Sequence, residues 1–477
     1  MAGEGFRDID GMAAQAELIA AIAGAVGQQV LQTGDAIAER RRGDANGPTG
    51  ALPALVLLPR DTAEVSAILR VCDALRRKLV VQGGLTGFAG GARPLAGETV
   101  LSLERMNRVG APERVGASIL AEAGATLQNV QEAAAAAGLA LGVDIAARGS
   151  CTIGGNVATN AGGIRVLRHG MFRAQVAGLE VVLADGSILS SLAGLAKDNA
   201  GYDLKQIFIG SEGTLGVVTR ARLRLHPMPT TGCLALAAAA SPQAALGVLT
   251  RLAAELGPGL SAFEAIGGAL YDAVAGWSQR RMPLAMGAPL YLLIEAQGHA
   301  PESDRARFEA AIAQAIEDGA LGETVLATSG RDAAEFWGLR ESLGAYVATR
   351  AAPVLGHDIA VAVERQPEFL ARAAAMVGAI DPGARILVFG HFGDGNLHYI
   401  VESGDARISD AIYRCVADMD GSIAAEHGIG LDKKSVLPLS RSAAEISVMR
   451  RLKRALDPND ILNPGRVFDL APEGAAP

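Results

Sequence analysis

Seven histidines occur in this chain, and three of them fall between Gly390 and Gly428. Two lie in Phe389-Gly390-His391-Phe392-Gly393-Asp394-Gly395-Asn396-Leu397-His398, where Asp394-Gly395 has the composition of a two-residue hairpin turn. Such a turn sets His391 opposite His398 on one face of a ribbon, with Cβ atoms about 5 Å apart. That placement suits two ligands of one divalent metal. Glu426, in Ala425-Glu426-His427-Gly428, adds an oxygen ligand. Two histidines and one carboxylate leave open coordination positions and suit zinc acting as a Lewis acid, or manganese or iron. His427 is then free to act as a base. A single histidine is more often a satisfied structural residue; the pair together with Glu-His favours the metal.

A second chemistry is written in glycine. Gln82-Gly83-Gly84-Leu85-Thr86-Gly87-Phe88-Ala89-Gly90-Gly91 follows an apolar strand. Its backbone amides can turn inward and approach an anionic group such as a pyrophosphate. The loop is neither a Rossmann fingerprint nor a Walker A sequence. The segment 149–163, Gly-Ser-Cys-Thr-Ile-Gly-Gly-Asn-Val-Ala-Thr-Asn-Ala-Gly-Gly, combines absent side chains with small hydroxyls and amides. The stretch from Gly210 to Thr219 has the same character. One such loop alone reads equally well as a flexible surface loop; three argue for one extended, polar, flat ligand.

The elements that must position these groups are legible in outline. The chain has 477 residues, half of them hydrophobic, enough for two large domains or three smaller ones. Forty-three basic against 51 acidic residues give a net charge of −8 with no basic run, which argues against nucleic acid as a partner. No apolar span reaches the ~20 residues of a membrane helix, and the acid-bearing start does not resemble a secretory signal. Four scattered cysteines make no disulfide framework, so a cytoplasmic location is expected. The spacing predicts a helix from Met12 to Arg42, a strand from Ala54 to Leu58, and a helix from Thr62 to about Arg77 capped by Asp61 or Thr62. It further predicts a strand at Leu79 to Val81, a helix at Ala125 to Ala136, and a hairpin turning at Asp185-Gly186. A composition change places a domain boundary near residue 228, a strand follows at Leu290 to Ile294, and a helix at Glu445 to Leu456 closes the chain.

The motifs Pro59-Arg60-Asp61-Thr62, Gln82 to Gly91, Gly149 to Gly163, and Gly201-Tyr202-Asp203-Leu204 with Ile209 to Gly216 resemble the FAD domain of the vanillyl-alcohol-oxidase/p-cresol-methylhydroxylase superfamily. Within it the chain resembles the FAD-binding D-2-hydroxyacid dehydrogenase branch of D-2-hydroxyglutarate dehydrogenases, D-lactate dehydrogenases and glycolate oxidase FAD subunits, from about residue 50 to 468. The resemblance implies an α+β architecture. It would comprise an N-terminal helical segment (1–50), a two-subdomain FAD-binding domain of the p-cresol-methylhydroxylase type (51–228), an α+β substrate and metal domain (229–430), and a helical C-terminal segment (431–477) returning to the FAD domain. It implies FAD at Gly83, Gly84, Leu85, Thr86, Gly87 and Phe88 for the pyrophosphate, and at Ser150, Thr152, Gly154, Asn156, Ala158 and Thr159 for the isoalloxazine and its linker. Gly213 and Val217 would lie near the adenosine, and Asn463 joins the cofactor set. No histidine lies in the first loop, so the FAD is expected to be non-covalent.

The same resemblance assigns metal ligands at His391, His398 and Glu426, with zinc preferred, and the base at His427. Trp337-Gly338-Leu339-Arg340-Glu341 resembles the segment that supplies a substrate-carboxylate arginine, Arg340. Two positions depart from the hydroxyglutarate pattern: Gly344 stands where a hydroxyl residue, and Gly356 where a lysine, would grip the substrate's far carboxylate. Either His357 compensates or the substrate is another 2-hydroxyacid. The implied activity is oxidation of a D-2-hydroxyacid of the 2-hydroxyglutarate, malate or lactate type to its 2-oxoacid by metal-assisted hydride transfer to FAD. An external acceptor, an electron-transfer flavoprotein or quinone-linked carrier, would take the electrons, with oxygen as the rival acceptor. A homodimer is the expected assembly. The alternative is an FAD-binding subunit of a glycolate/lactate oxidase-type complex. A metal hydrolase would leave the three glycine loops without a purpose.

Overall fold

The computed structural model describes residues 2–278, 281–350 and 353–470. Its N-terminal part carries two four-stranded sheets and a two-stranded ribbon of Leu139–Ala140 with His226–Pro227. The first runs in the spatial order Leu31–Gln32, Val56–Leu57, Thr99–Ser102, Leu79–Gln82, and the last three strands are parallel. Parallel neighbours need a crossover, and the helix Thr62–Ala74 supplies it. Asp61 caps that helix by accepting from the Glu64 N–H at 2.9 Å. The second sheet is antiparallel, in the order Ser118–Glu122, Val217–Arg224, Val176–Val182, Ile188–Ser191. Its last hairpin turns through Asp185-Gly186, with Gly186 at φ +81°. The expected first helix is shorter than its periodicity suggests: it spans Ala2–Val26 and stops at Gly27, whose φ of +86° no helix accommodates. Three short 3₁₀ turns carry the chain on to Arg42, and Val30 is still buried.

The C-terminal part is built on one seven-stranded antiparallel sheet, in the order Leu321–Leu326, Thr231–Ala239, Leu290–Gly298, Leu260–Gly267, Arg385–Gly390, Asn396–Glu402, Val354–Ala360. Helices cover both faces, so its central strands read as nearly unbroken apolar runs. Along Thr231–Ala239, Cys233, Ala235 and Ala237 pack beneath the helices Pro242–Leu256 and Pro301–Glu317. Leu234 and Leu236 enter the opposite core with the helices Gly268–Ser278 and Gly330–Ala348. The period-two alternation of a strand therefore sorts residues between two cores.

The histidine hairpin departs from its expected register. Phe389, not His391, lies opposite His398. The turn is wider because Phe392–Asp394 forms a 3₁₀ turn and Phe392 is buried in the core beside Phe263. Gly390 (φ +152°) and Gly395 (φ +91°) make it possible; a Cβ on Gly395 would lie 2.4 Å from the Val361 carbonyl oxygen.

The C-terminal helix Ala443–Leu456 packs on the first part of the chain. Leu462 pairs with Leu79, and the buried Lys453 ammonium donates to the carbonyls of Thr214 (3.0 Å) and Leu462 (2.7 Å) while ion-pairing with Asp457. The last seven positions of the expected helical segment, 471–477, lie outside the described residues. Among the described residues no helix is long and apolar enough to cross a membrane. Lys453→Met should lower stability by about 3–5 kcal/mol, because it leaves the Asp457 carboxylate buried and unpaired. Denaturant unfolding would read this as a lower midpoint.

Candidate active site

Glu264 stands alone as an acid in the apolar strand Leu260–Gly267 and is fully buried. Its two oxygens are divided. One accepts from Arg340 Nε at 2.6 Å, the other from His391 Nδ1 at 2.7 Å. Arg340 reaches it from the helix Gly330–Ala348 and lies over the Phe389 ring, 4.8 Å from its centroid. The other imidazole nitrogen of His391 is 3.3 Å from a Glu426 oxygen. Burial pushes the Glu264 carboxyl up, but His391 and Arg340 outweigh it and hold the group below its ordinary range. Burial likewise opposes charge on His391, and the carboxylates of Glu264 and Glu426 raise it well above the usual imidazole value.

Asp358 is the second hub. It lies opposite His398 in the ladder between Val354–Ala360 and Asn396–Glu402. Its Oδ2 accepts from the backbone N–H groups of Glu426 (2.9 Å) and His427 (3.1 Å), and the same oxygen is 3.3 Å from His427 Nδ1. Its Oδ1 accepts from Asn396 Nδ2 at 2.9 Å and lies 3.6 Å from His398 Nδ1. Burial would raise this carboxyl; His427 and His398 pull it well below the usual carboxylate range. Burial pushes His398 down to about 4, favouring a neutral ring. Ligand atoms of His391, His398 and Glu426 all lie within 4.8 Å of one another. One neutral-leaning imidazole, a carboxylate, and a second imidazole oriented from behind by Glu264 form a donor set that fits a divalent cation.

These groups close one end of a cavity of about 690 Å³. The other end is lined by Gly83 to Ala89, by Ser150, Thr152, Asn156, Ala158 and Thr159, and by Asn463. The glycine loop is held from below: Ala45 N–H donates to the Gly87 carbonyl, Asn46 Nδ2 to the Phe88 carbonyl, and Asp44 accepts from Gly90 N–H. Gly84 is a clearance point, since a Cβ there would sit 2.0 Å from the Ser150 carbonyl oxygen. Among the described residues no lysine lines the cavity and Arg340 supplies its one guanidinium, so backbone amides are left to meet an anionic ligand.

Most of the expected site residues meet here: His391, His398, Glu426, His427 and Arg340 at one end, the two loops at the other. Three do not line the cavity. Gly154 donates to the Ala123 carbonyl and gives clearance to Ala123, Gly213 packs against Asn463, and Val217 is buried in its strand. His357 cannot replace a missing substrate contact. Strand alternation turns it to the opposite face from Asp358, where its ring nitrogens meet the Tyr399 carbonyl and the Ser409 hydroxyl, both at 2.9 Å. Side chains at Gly344 and Gly356 would meet nothing within 4 Å. Glu264 and Glu212, which also lines the cavity, were not singled out from the sequence. An unpaired acid inside an apolar strand was the available signal for Glu264.

A flavin-sized cavity, walled by glycine loops and ending in a histidine and carboxylate cluster able to handle protons, fits a flavoprotein oxidoreductase. Residues 53–191 match the FAD binding domain family, and residues 228–467 match the family of FAD linked oxidases, C-terminal domain. The chain belongs to these FAD-linked oxidases and is an FAD-dependent enzyme. It is similar to D-2-hydroxyglutarate dehydrogenase of Xanthomonas citri pv. viticola, 40% identical over 430 residues covering 87% of this chain and 89% of the relative. The mitochondrial D-2-hydroxyglutarate dehydrogenase of Bos taurus is 38% identical over 421 residues, covering 87% and 76%. The fold is that of p-cresol methylhydroxylase with substrate bound, with a TM-score of 0.75 at 14% identity over 96% of this chain and 98% of that one.

Gly84→Ala should yield protein with little bound flavin, whereas Gly87→Ala, where a Cβ meets nothing within 4 Å, should keep it. The visible flavin absorbance per mole of purified protein separates the two.

Proposed function

We propose that the enzyme oxidises a D-2-hydroxyacid to the 2-oxoacid, with His391, His398 and Glu426 holding a divalent metal, zinc by preference, and Arg340 receiving the substrate carboxylate. The observation that carries this reading is the convergence of that ligand set, Arg340 and His427 at one end of the FAD cavity. When bound, FAD supplies the hydride acceptor at N5 and the metal a Lewis acid toward the substrate hydroxyl.

The chain's own residues do the rest. Arg340 keeps its Nη edge for a carboxylate, because Glu264 engages only its Nε. Glu264 thereby fixes the angle at which the fork is presented. Asp358 beside His427 Nδ1 favours the tautomer with the proton on that nitrogen, leaving Nε2 to take the hydroxyl proton. Phe88 sets its ring beside the His427 imidazole, 4.9 Å between ring centroids. The electron pair leaves with the C2 hydrogen and the proton leaves through His427, so the acid loses two electrons and two hydrogens overall. An external acceptor, an electron-transfer flavoprotein or quinone-linked carrier, takes the electrons onward. The four cysteines are buried and free, which suits a reducing compartment such as the cytoplasm.

The test is anaerobic bleaching of the flavin by D-2-hydroxyglutarate, D-malate, D-lactate and glycolate, each with and without a chelator. Bleaching by a D-acid that the chelator abolishes is expected; a flavin that none of the acids reduces would overturn the reading. His427→Ala should retain flavin and slow its reduction by on the order of 10²–10⁴-fold.

A further inference from the structure

In the third glycine cluster, Gly210 to Thr219, Gly213 and Val217 stand outside the cavity, and the residue of this stretch that enters it is an acid, Glu212. A carboxylate is a poor wall for a cavity that receives an anionic pyrophosphate, so its partners must explain it. They lie on the loop that carries Glu426 and His427. Glu212 Oε1 accepts from Ile429 N–H at 2.7 Å, and Oε2 from Gly430 N–H at 2.8 Å.

That loop is therefore held by two carboxylates from opposite sides. Asp358, on the C-terminal sheet, takes the amides of residues 426 and 427; Glu212, from the FAD-binding part, takes those of 429 and 430. Gly428 is the pivot between the grips, at φ +73°, and a Cβ on it would lie 2.7 Å from Glu212 Oε1. The loop's next residues also lean on the flavin side, as Leu431 and Asp432 N–H groups donate to the Ala89 carbonyl.

Glu212 is itself fixed to the cavity walls. Its backbone is left-handed, φ +52°, a conformation a non-glycine residue adopts only when its surroundings hold it there. Two bonds hold it there: its N–H donates to the Ala158 carbonyl at 2.8 Å, and its carbonyl accepts from Asn463 Nδ2 at 2.6 Å. Asn463 Oδ1 in turn accepts from Val81 N–H, at the entrance to the first glycine loop. Lys433 balances charge on the far side, its buried ammonium bonded to the Ile423 carbonyl and in the field of both Asp358 and Glu212.

We propose that Glu212 is a positioning residue that sets the distance between the flavin seat and the loop bearing His427 and Glu426. Through it, the walls that seat the flavin ring also place the base. The proposal rests on the role given above to His427.

The test compares Glu212→Gln and Glu212→Ala with wild type as the flavin-loaded enzyme, with His427→Ala as control. Glu212→Gln keeps the shape but turns an amide against two N–H donors. Both variants should keep their flavin and melt within a few degrees of wild type. kcat should fall on the order of 100-fold, the scale of an ångström's misplacement, with KM little changed. Hydrogen exchange should quicken in the peptide spanning 424–430 and not in the one spanning 83–91. Loss of flavin, unfolding of both variants, or turnover within twofold of wild type would each overturn the proposal. Wild-type turnover in His427→Ala would instead overturn the role of the base on which it depends.

Discussion

A carboxylate with no access to water must be neutralised where it stands, and the Glu264 side chain meets that demand with one nitrogen of Arg340 and one of His391. Burying an ion costs several kcal/mol, and only well-placed partners offset it. Each partner is then bound to a single geometry. Arg340 cannot swing toward solvent, and His391 cannot flip its ring, without exposing an uncompensated charge in a low-dielectric interior. The Arg340 fork and the His391 imidazole are pre-oriented together by one acid on one strand. The two covering helical layers keep that strand dry.

Asp358 repeats the principle with a different type of partner. It spends one oxygen on backbone amides, so it fixes a loop that no secondary structure would fix. A loop gripped by charge-assisted bonds can carry reactive side chains with an order usually reserved for helices and strands. The neighbouring residue shows how local the choice is. His357 and Asp358 are adjacent in sequence, yet the pleat sends the acid into the site and the imidazole into the opposite core against Tyr413.

Much of this was legible in the residues, and the failures have physical causes. Glycine clusters announce themselves because only backbone can approach a large ligand so closely, and the His-x₆-His hairpin with Glu-His announces itself by composition. The hairpin register did not, because an Asp-Gly turn signal carries no information about Phe392, whose burial widens the turn. The first helix was overextended because Val30 keeps the helical period past a glycine that ends it. Gly154 and Gly213 read as ligand contacts; they stand outside the cavity, and a Cβ on either would crowd a neighbouring protein segment. Glu264 was missed because charge counts do not show which acid lies inside a sheet.

The glycines at 344 and 356 bear on the substrate through the space around them. Gly356 lies opposite Ile400 in the strand ladder, two residues from the Asp358 and His398 pair on the same face, and Gly344 lies one helical turn beyond Arg340. Neither position offers a donor. Arg350 is held by Glu402, four residues past His398 and hence about 13 Å along the strand. On the reading proposed above, a substrate held by Arg340 at one carboxylate meets open space beside Gly344 and Gly356, where a Cβ would touch nothing within 4 Å. Affinity in such a site is concentrated on the atoms common to all 2-hydroxyacids, the carboxylate and the hydroxyl, while the remainder of the molecule is chosen by what the open space admits.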